Sequence, residues 1–483
     1  MSDQEMVSLK VKLEQLQCHF TWGLQKENIV LDDKKQRFED SIQTNVKYQG
    51  RFYNQLAFVN CLQGNCEEAV QNLKEAEKIL RENHEDEFDK RIIVTYGNYA
   101  WVYYHMGQLT EAQSYLDKLE RICKPFPDAS RYTAMIPEVY GEKGWALLSS
   151  SSQYYEEAKE CFKKALEEDP DNIEWNLGYA TALSRLEIIS GTPENCEPTQ
   201  SMKQFRRVLE LDPDHTEAMV QLALKLQDCN QNEEAFTLVE QALHKSPDLP
   251  YVLRYAAKFL RREGAVEKSI ELLKKALEIT PNSAFLHHQI GLCYRNKLKS
   301  TSWRNTRWKD QLVNLCKYHF KKAIELKEPF AHAQVDLAFI FSENKEYHKA
   351  EEIYRNLLKL EDLRQEDKQS IRLQTGLFEL HHRKSESNAI SHFLEGYKIN
   401  YVSKSRGLCR ENLDKIIQRR LRKYPSDSKI HGLLGFLHQL DGERCEAISS
   451  FKMALEFDPD NEEYLSAIFE LRLSLQADND LPN

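Results

Sequence analysis

The chain has 483 residues, with 66 Lys and Arg against 76 Asp and Glu, a formal net charge of −10, and only 17 Gly and 14 Pro. That balance argues against a protein that meets nucleic acid or an anionic membrane with its whole surface, but leaves room for a basic inner face. No apolar run reaches the length of a membrane span, and the N-terminal MSDQEMVSLKVKLEQLQCHF lacks the apolar core of a secretion signal. The 11 Cys are scattered without a CxxC pair or zinc spacing. Reduced thiols, a cytoplasmic setting, no membrane contact, no metal and no cofactor are therefore expected.

The strings KKALEEDPDN, RRVLELDPDH, EQALHKSPDL, KKALEITPNS and KMALEFDPDN recur, and Pro213, Pro247 and Pro281 stand 34 residues apart. That period is the signature of the tetratricopeptide repeat, a helix-turn-helix unit that cannot bury its apolar face alone and stacks on its neighbours. Small residues at positions 8 and 20 and a large apolar one at 24 mark the units in chain order. Ala57, Ala69 and Leu73 open the series, followed by Ala100, Ala112 and Leu116, then by Ala158 and Phe162. Later units carry Ser201 and Phe205, Ala223 and Ala235, Ala257 and Ser269, Gly291 and Phe320, Ala338 and Ala350, Ala389 and Phe393, and Gly435 and Phe451. The predicted fold is an all-α repeat superhelix with a central basic groove or tunnel. Its expected parts are N-terminal repeats over 1–130, central repeats lining the groove over 137–330, and C-terminal repeats over 331–483. Residues 124–137 read as a Pro-rich joint, and 187–200 and 297–310 as loops inserted within units, the latter basic with Trp303 and Trp308. Residues 404–423 form a further basic stretch.

The first helix of each unit turns positions 2, 5, 9, 12 and 13 toward the concave side. With Ala257 at position 8, the inner residues of that unit are Tyr251, Arg254, Lys258, Arg261 and Arg262, with Tyr255 alongside. Cations interleaved with rings suit a phosphate backbone and stacked bases; a merely solvated charged face is the alternative. The same frame places Phe285, His288 and Arg295, with Gln289 beside them, on the next unit, and Glu174, Thr181 and Arg185 on an earlier one. Trp145 is ambiguous. Counting back from Ala158 puts it at a core position, whereas taking Gly144 as position 8, with two extra residues in the following turn, points it into the groove. No phosphate-binding Gly loop, HExxH or GxSxG is present, and a non-enzyme is expected.

The strings CHFTW (18–22), GNYAWVYYHMGQLTEAQ (97–113), GWALL (144–148), LALKLQD (222–228), YVLRYAAKF (251–259), ELLKKALEITP (271–281) and LHHQIGLCYR (286–295) resemble the interferon-induced proteins with tetratricopeptide repeats. The resemblance is closest to the RNA-binding branch. It implies an antiviral protein that sequesters foreign single-stranded RNA by its 5′ end, as triphosphate or as a cap lacking 2′-O-methylation, and so blocks its translation. By position it implies that Trp145 stacks on a cap guanine, that Thr181 stands at an aliphatic wall of that pocket, and that Glu174 accepts from the guanine N–H edge. It further implies that Arg37, Tyr155, Arg185, Tyr251, Arg254, Tyr255, Arg261, His288 and Gln289 line the RNA path, with His288, Tyr155 and Arg185 near the first ribose 2′-OH groups. The chain departs from the pattern at Ser149, where a Lys is expected, at Ser41, at Thr44 or Asn45, and at His215 and Glu217. The cations match better than the cap pocket does, and triphosphate and cap both stay open. FKMAL (451–455) falls where some members carry a Tyr-x-x-x-Leu assembly motif, which implies Phe451 and Leu455 in homo-oligomers or in pairing with other members. The rival reading is a protein-interaction scaffold without direct RNA binding.

Overall fold

The computed structural model describes residues 3–44, 49–126, 129–190, 199–300, 306–361 and 363–479. Within them the chain is helical, and extended pairing is confined to one isolated bridge between Ser130 and Thr133. No helix among them is long and apolar enough to cross a membrane. Packing divides the chain into two units, Met1–Ile340 and Phe341–Asn483. The stretches 1–130 and 137–330 both fall within the first of these units. The N-terminal segment folds back onto the central repeats. The Tyr154 hydroxyl donates to the Gly23 carbonyl at 3.0 Å, Lys327 Nζ to Asp33 at 3.0 Å, and Arg51 pairs with Glu174.

In the first unit, antiparallel pairs follow one another: Gln49–Leu62 with Cys66–Asn83, Ile93–His105 with Leu109–Cys123, Pro137–Ser150 with Tyr155–Glu168, and Ile173–Ser190 with Gln200–Leu211. Thr216–Asp228 with Asn232–Lys245, Pro250–Arg262 with Val266–Ile279, and Ala284–Ser300 with Thr306–Leu326 complete them. The expected inserts are partly helical, because Ile173–Ser190 and Ala284–Ser300 run past the usual turn. Residues 191–198 and 301–305, Trp303 among them, lie outside the described residues, as do Asn45 and part of the Pro-rich joint.

Two local rules hold the pairs together. The first concerns the turn. Gly64, Gly107, Asn230, Gly264, Lys345 and Gly442 all have left-handed φ values between 57° and 89°. Each lies seven residues after the small residue at position 8, where the chain must reverse within a few residues. The second concerns the core. Phe162, Phe320, Phe393 and Phe451 are fully buried, and each presses its ring against a glycine. A Cβ on Gly178 would come 2.4 Å from Phe162, one on Gly291 2.5 Å from Phe320, one on Gly376 2.5 Å from Phe393 and one on Gly435 2.7 Å from Phe451.

These rules settle the frame of the third pair. Gly144 also meets Phe162, at 2.9 Å for a built Cβ, so it is the position-8 residue. Its turn does not use a left-handed residue. Ser151 is extended, with φ −147°, and a short 3-10 turn, Ser152–Tyr154, follows. The longer turn accounts for the two extra residues and rotates Trp145 away from the core position.

The second unit comprises Tyr347–Leu357, Gln365–Phe378 with Glu386–Lys398, Lys404–Lys423, Ser428–Leu440 with Arg444–Phe457, and Glu462–Asn479. The basic stretch 404–423 is a salt-bridged surface helix. Arg410 pairs with Asp414 and Asp441, Lys415 with Glu411, and Arg419 and Arg420 with Glu386. The expectation for Phe451 needs correction. Its ring is fully buried between Phe436, at 4.9 Å edge to face, and Tyr464, stacked at 5.8 Å, so it is core rather than assembly surface. Leu455 is half-buried against the same cluster.

Because Gly178 sits under a ring with no room for a methyl group, Gly178→Ala should cost about 1–3 kcal/mol through overpacking. A urea or thermal midpoint that does not fall would show that the Phe162 contact is not close.

Candidate nucleic-acid interface

Within the first unit the inner helix faces enclose a cavity of about 380 Å³. Leu31–Thr44 contributes Lys34, Arg37, Phe38, Asp40, Ser41 and Thr44, and Gln49–Leu62 contributes Arg51, Phe52 and Gln55. Trp145, Leu148, Ser149, Tyr155, Leu177, Thr181 and Arg185 form the next walls, and Glu217, Tyr251, Arg254 and Tyr255 close the far side. Of the residues expected at an RNA path, the cavity brings together Arg37, Trp145, Tyr155, Arg185, Tyr251, Arg254 and Tyr255. Glu174 stands behind the wall, paired to Arg51. Lys258 is half-buried beyond it, and Arg261 Nη2 donates to Gln289 Oε1 at 3.2 Å. His288 is not at the cavity wall. Its Nε2 lies 2.7 Å from an Asp336 oxygen, and Arg295 holds the other oxygen, so the imidazole is committed to a carboxylate.

The cations rest on aromatic faces. The Arg254 guanidinium lies 4.9 Å from the Tyr251 ring and 5.5 Å from Tyr255, and those two rings are 4.7 Å apart. The Arg185 guanidinium lies 5.1 Å from Tyr155 and donates to the Leu148 carbonyl. Such contacts orient a guanidinium without neutralising it. Arg254 Nε is buried without a hydrogen-bond partner, a donor in want of an acceptor. Ser149 carries no charge, yet Lys34 Nζ donates to its carbonyl. A lysine amine therefore stands there, supplied from a helix far away in sequence.

The electrostatics of the site are those of crowded positive charge. Burial pushes the Lys34 ammonium well below the ordinary lysine range, and Arg37, Arg185 and Lys327 add to that against the opposing Asp33. Burial by itself would raise the Tyr255 phenol, but Arg254, Arg185, Lys258 and Arg37 together outweigh it and bring the group below its usual value. Burial lowers Lys258 and Arg261 as well. A site that strains to lose protons in this way is stabilised by an incoming anion.

Sequence reasoning missed Lys34, Asp40 and, above all, Arg51. Arg51 was within reach of the repeat frame, because with Ala57 at position 8 it occupies inner position 2. Its guanidinium lies 4.1 Å from the Trp145 ring centroid and 4.8 Å from Phe52. Trp145 is half-buried, with its edge against Phe162 at 5.2 Å and 75°. Trp145 thus lines the cavity while also packing on the core. Thr181 lines the same wall, with its hydroxyl turned to the Leu177 carbonyl. His215 is buried and caps its helix by accepting from Ala218 N–H at 3.4 Å, while Glu217 reaches the cavity. Among the described residues no group of three or more His, Cys, Asp or Glu side chains could hold a metal ion.

Behind Arg51, Glu142 is half-buried. Burial raises its carboxyl to about 7, with Glu174 pushing the same way and Arg51 and the Asn54 amide opposing. An acid that holds its proton more tightly in the fold than the ordinary 4.5 makes stability fall as pH climbs from about 4.5 to about 7. Glu142→Gln removes that slope. The variant should gain on wild type by on the order of 2–3 kcal/mol between pH 5 and pH 8. Parallel pH profiles in chemical denaturation would contradict the assignment.

Models of the tetratricopeptide repeat match residues 48–124, 137–172 and 220–284. The human antiviral innate immune response effector IFIT1 is 41% identical over 463 residues, 94% of this chain and 97% of that protein. A structure described as human IFIT1 dimer with PPP-AAAA superposes with a TM-score of 0.82 at 40% identity, covering 94% of this chain and 100% of that one. Human IFIT1 dimer with m7Gppp-AAAA gives 0.84 at 41%, covering 93% and 100%. With an inner face of cations seated on rings and this likeness along nearly its whole length, the chain belongs to the family of interferon-induced proteins with tetratricopeptide repeats.

Proposed function

We propose that this protein is an antiviral RNA-binding protein of innate immunity that captures foreign single-stranded RNA by its 5′ end and withholds it from translation. One observation carries the reading: in a chain of net charge −10, Lys34, Arg37, Arg185 and Arg254 converge on a single cavity walled by Tyr155, Tyr251 and Tyr255. A 5′-triphosphate brings the charge those cations lack, and the rings offer faces on which the following bases stack. The relatives support the same reading, since human IFIT1 is an antiviral effector whose structures hold triphosphate and capped oligonucleotides. The protein works by binding, not by turnover. Assembly with like chains is part of the proposal, by likeness to the IFIT1 dimers, with Leu455 in the C-terminal unit as the remaining candidate. The scaffold alternative gains no specific support from a cavity of this charge.

Arg254→Glu or Arg185→Glu should abolish binding of 5′-triphosphate RNA while leaving the melting point near that of wild type, because reversing one charge repels phosphate in a confined site. Wild-type affinity in either variant would refute the cavity as the site. Binding should also weaken steeply with salt, with a log–log slope of several units, and flat salt dependence would favour the scaffold. A space of this size between helices admits one strand. A blunt triphosphate duplex should therefore bind far more weakly than the same duplex with a single-stranded 5′ overhang, and equal binding would rule out entry of a single strand.

A further inference from the structure

The geometry points to Arg51 as a built-in plug on the open face of Trp145, which makes the cavity select a bare 5′-triphosphate over a 5′ end that carries an additional guanine. The inference rests on the 5′-end reading above and deepens it.

A guanine added to the 5′ end needs two things that this cavity could offer: an aromatic face to stack on and a carboxylate to accept from its N–H edge. Trp145 is the ring and Glu174 the carboxylate. Arg51 occupies both. Its guanidinium lies over the Trp145 ring, 4.1 Å from the centroid, in the space a stacking base would take. The same group pairs with Glu174. The other sides of Arg51 are closed as well. Phe52 lies 4.8 Å from the guanidinium, and the side chain is only 9% exposed.

Moving Arg51 aside is costly for a reason visible behind it. Burial, with Glu174 beside it, raises the Glu142 carboxyl, and Arg51 is the stronger of two cations, with Arg91, that oppose this. Withdrawing the guanidinium would take from Glu174 its salt-bridge partner and from Glu142 the stronger of the two cations that oppose its shift. A guanine is neutral at its N–H edge and cannot replace that charge. The cations assigned to the triphosphate take no part in this arrangement: Arg185 and Arg254 rest on tyrosine rings, and Lys34 on the Ser149 carbonyl. The plug therefore blocks a terminal base and leaves the phosphate cations open. Arg51 acts on specificity through Trp145 and Glu174, not by touching the phosphates.

The test is equilibrium binding of one RNA sequence carrying a 5′-triphosphate, a Gppp end or an m7Gppp end. It is run on wild type, Arg51→Ala, and the double variant Arg51→Ala with Trp145→Ala, with melting points alongside. Wild type should bind triphosphate RNA at least about tenfold tighter than either capped form, roughly the worth of one base–aromatic stack. Arg51→Ala should raise the ratio of capped to triphosphate affinity about tenfold or more, and adding Trp145→Ala should return that ratio to the wild-type value. If Arg51→Ala melts early, Arg51→Lys keeps a cation for Glu174 without the flat group and should shift the ratio in the same direction. Wild type that binds triphosphate RNA, together with Arg51 variants that leave the ratio unchanged, would overturn the plug alone. So would wild type that binds capped RNA as tightly as triphosphate RNA. Wild type that binds none of the three RNAs would overturn the 5′-end reading and the plug with it.

Discussion

The close approach of a phenylalanine ring to a residue without a side chain is the constraint on which the rest depends. Phe162, Phe320, Phe393 and Phe451 each fill the space that a Cβ would need on a facing glycine. That contact fixes how near two helices lie and how they are rotated about their axes. A side chain at position 8 can go nowhere but inward to the core, so positions 9, 12 and 13 are turned to the concave side. Phe162 serves two helices at once through Gly144 and Gly178, and in doing so it sets the orientation of both Trp145 and Thr181. The cavity is in this sense a consequence of core packing.

The second theme is where positive charge is left uncompensated. Across the outer faces, Lys and Arg meet carboxylates at helical or inter-helical spacing, as Arg206 does with Glu234 and Arg207 with Asp171. In the helix Lys404–Lys423, Arg410, Lys415, Arg419 and Arg420 meet carboxylates in the same way. On the inner face the partners of Arg185 and Arg254 are rings and carbonyls, which fix direction but supply no full negative charge. The Tyr255 phenol, brought down by these cations against the effect of burial, records the resulting field. Folding leaves that charge in place because the cost of crowding is spread over several partly solvated side chains. An anion that relieves it binds with the gain that the empty site forgoes.

Carboxylates modulate this field at two places. Asp336 binds both His288 and Arg295. Glu174 does the same to Arg51 and, through it, to Trp145. In each case an inner-face residue of the type expected at an RNA path is held in an ion pair inside the protein. A residue's type and position on the repeat say that it faces inward; they do not say whether it is already satisfied.

The sequence by itself determined the helix-turn-helix period, the position-8 and position-24 core, and the inner placement of Tyr251, Arg254, Tyr255 and Arg185. All of these follow from periodicities of a few residues within one unit. Arg51 was legible by the same count. The frame of Trp145 was not, because a two-residue lengthening of one turn at Ser151 shifts the register, and nothing local distinguishes that from a core tryptophan. Phe451 shows the reverse: position 24 marked it as core, and the structure buries it. Only the tertiary structure could decide the rest. The amine at Ser149 comes from Lys34, the carboxylate on His288 from Asp336, and the guanidinium over Trp145 from a helix nearly a hundred residues earlier. Such pairings arise when distant helices pack side by side, and their partners are fixed by space, not by spacing along the chain.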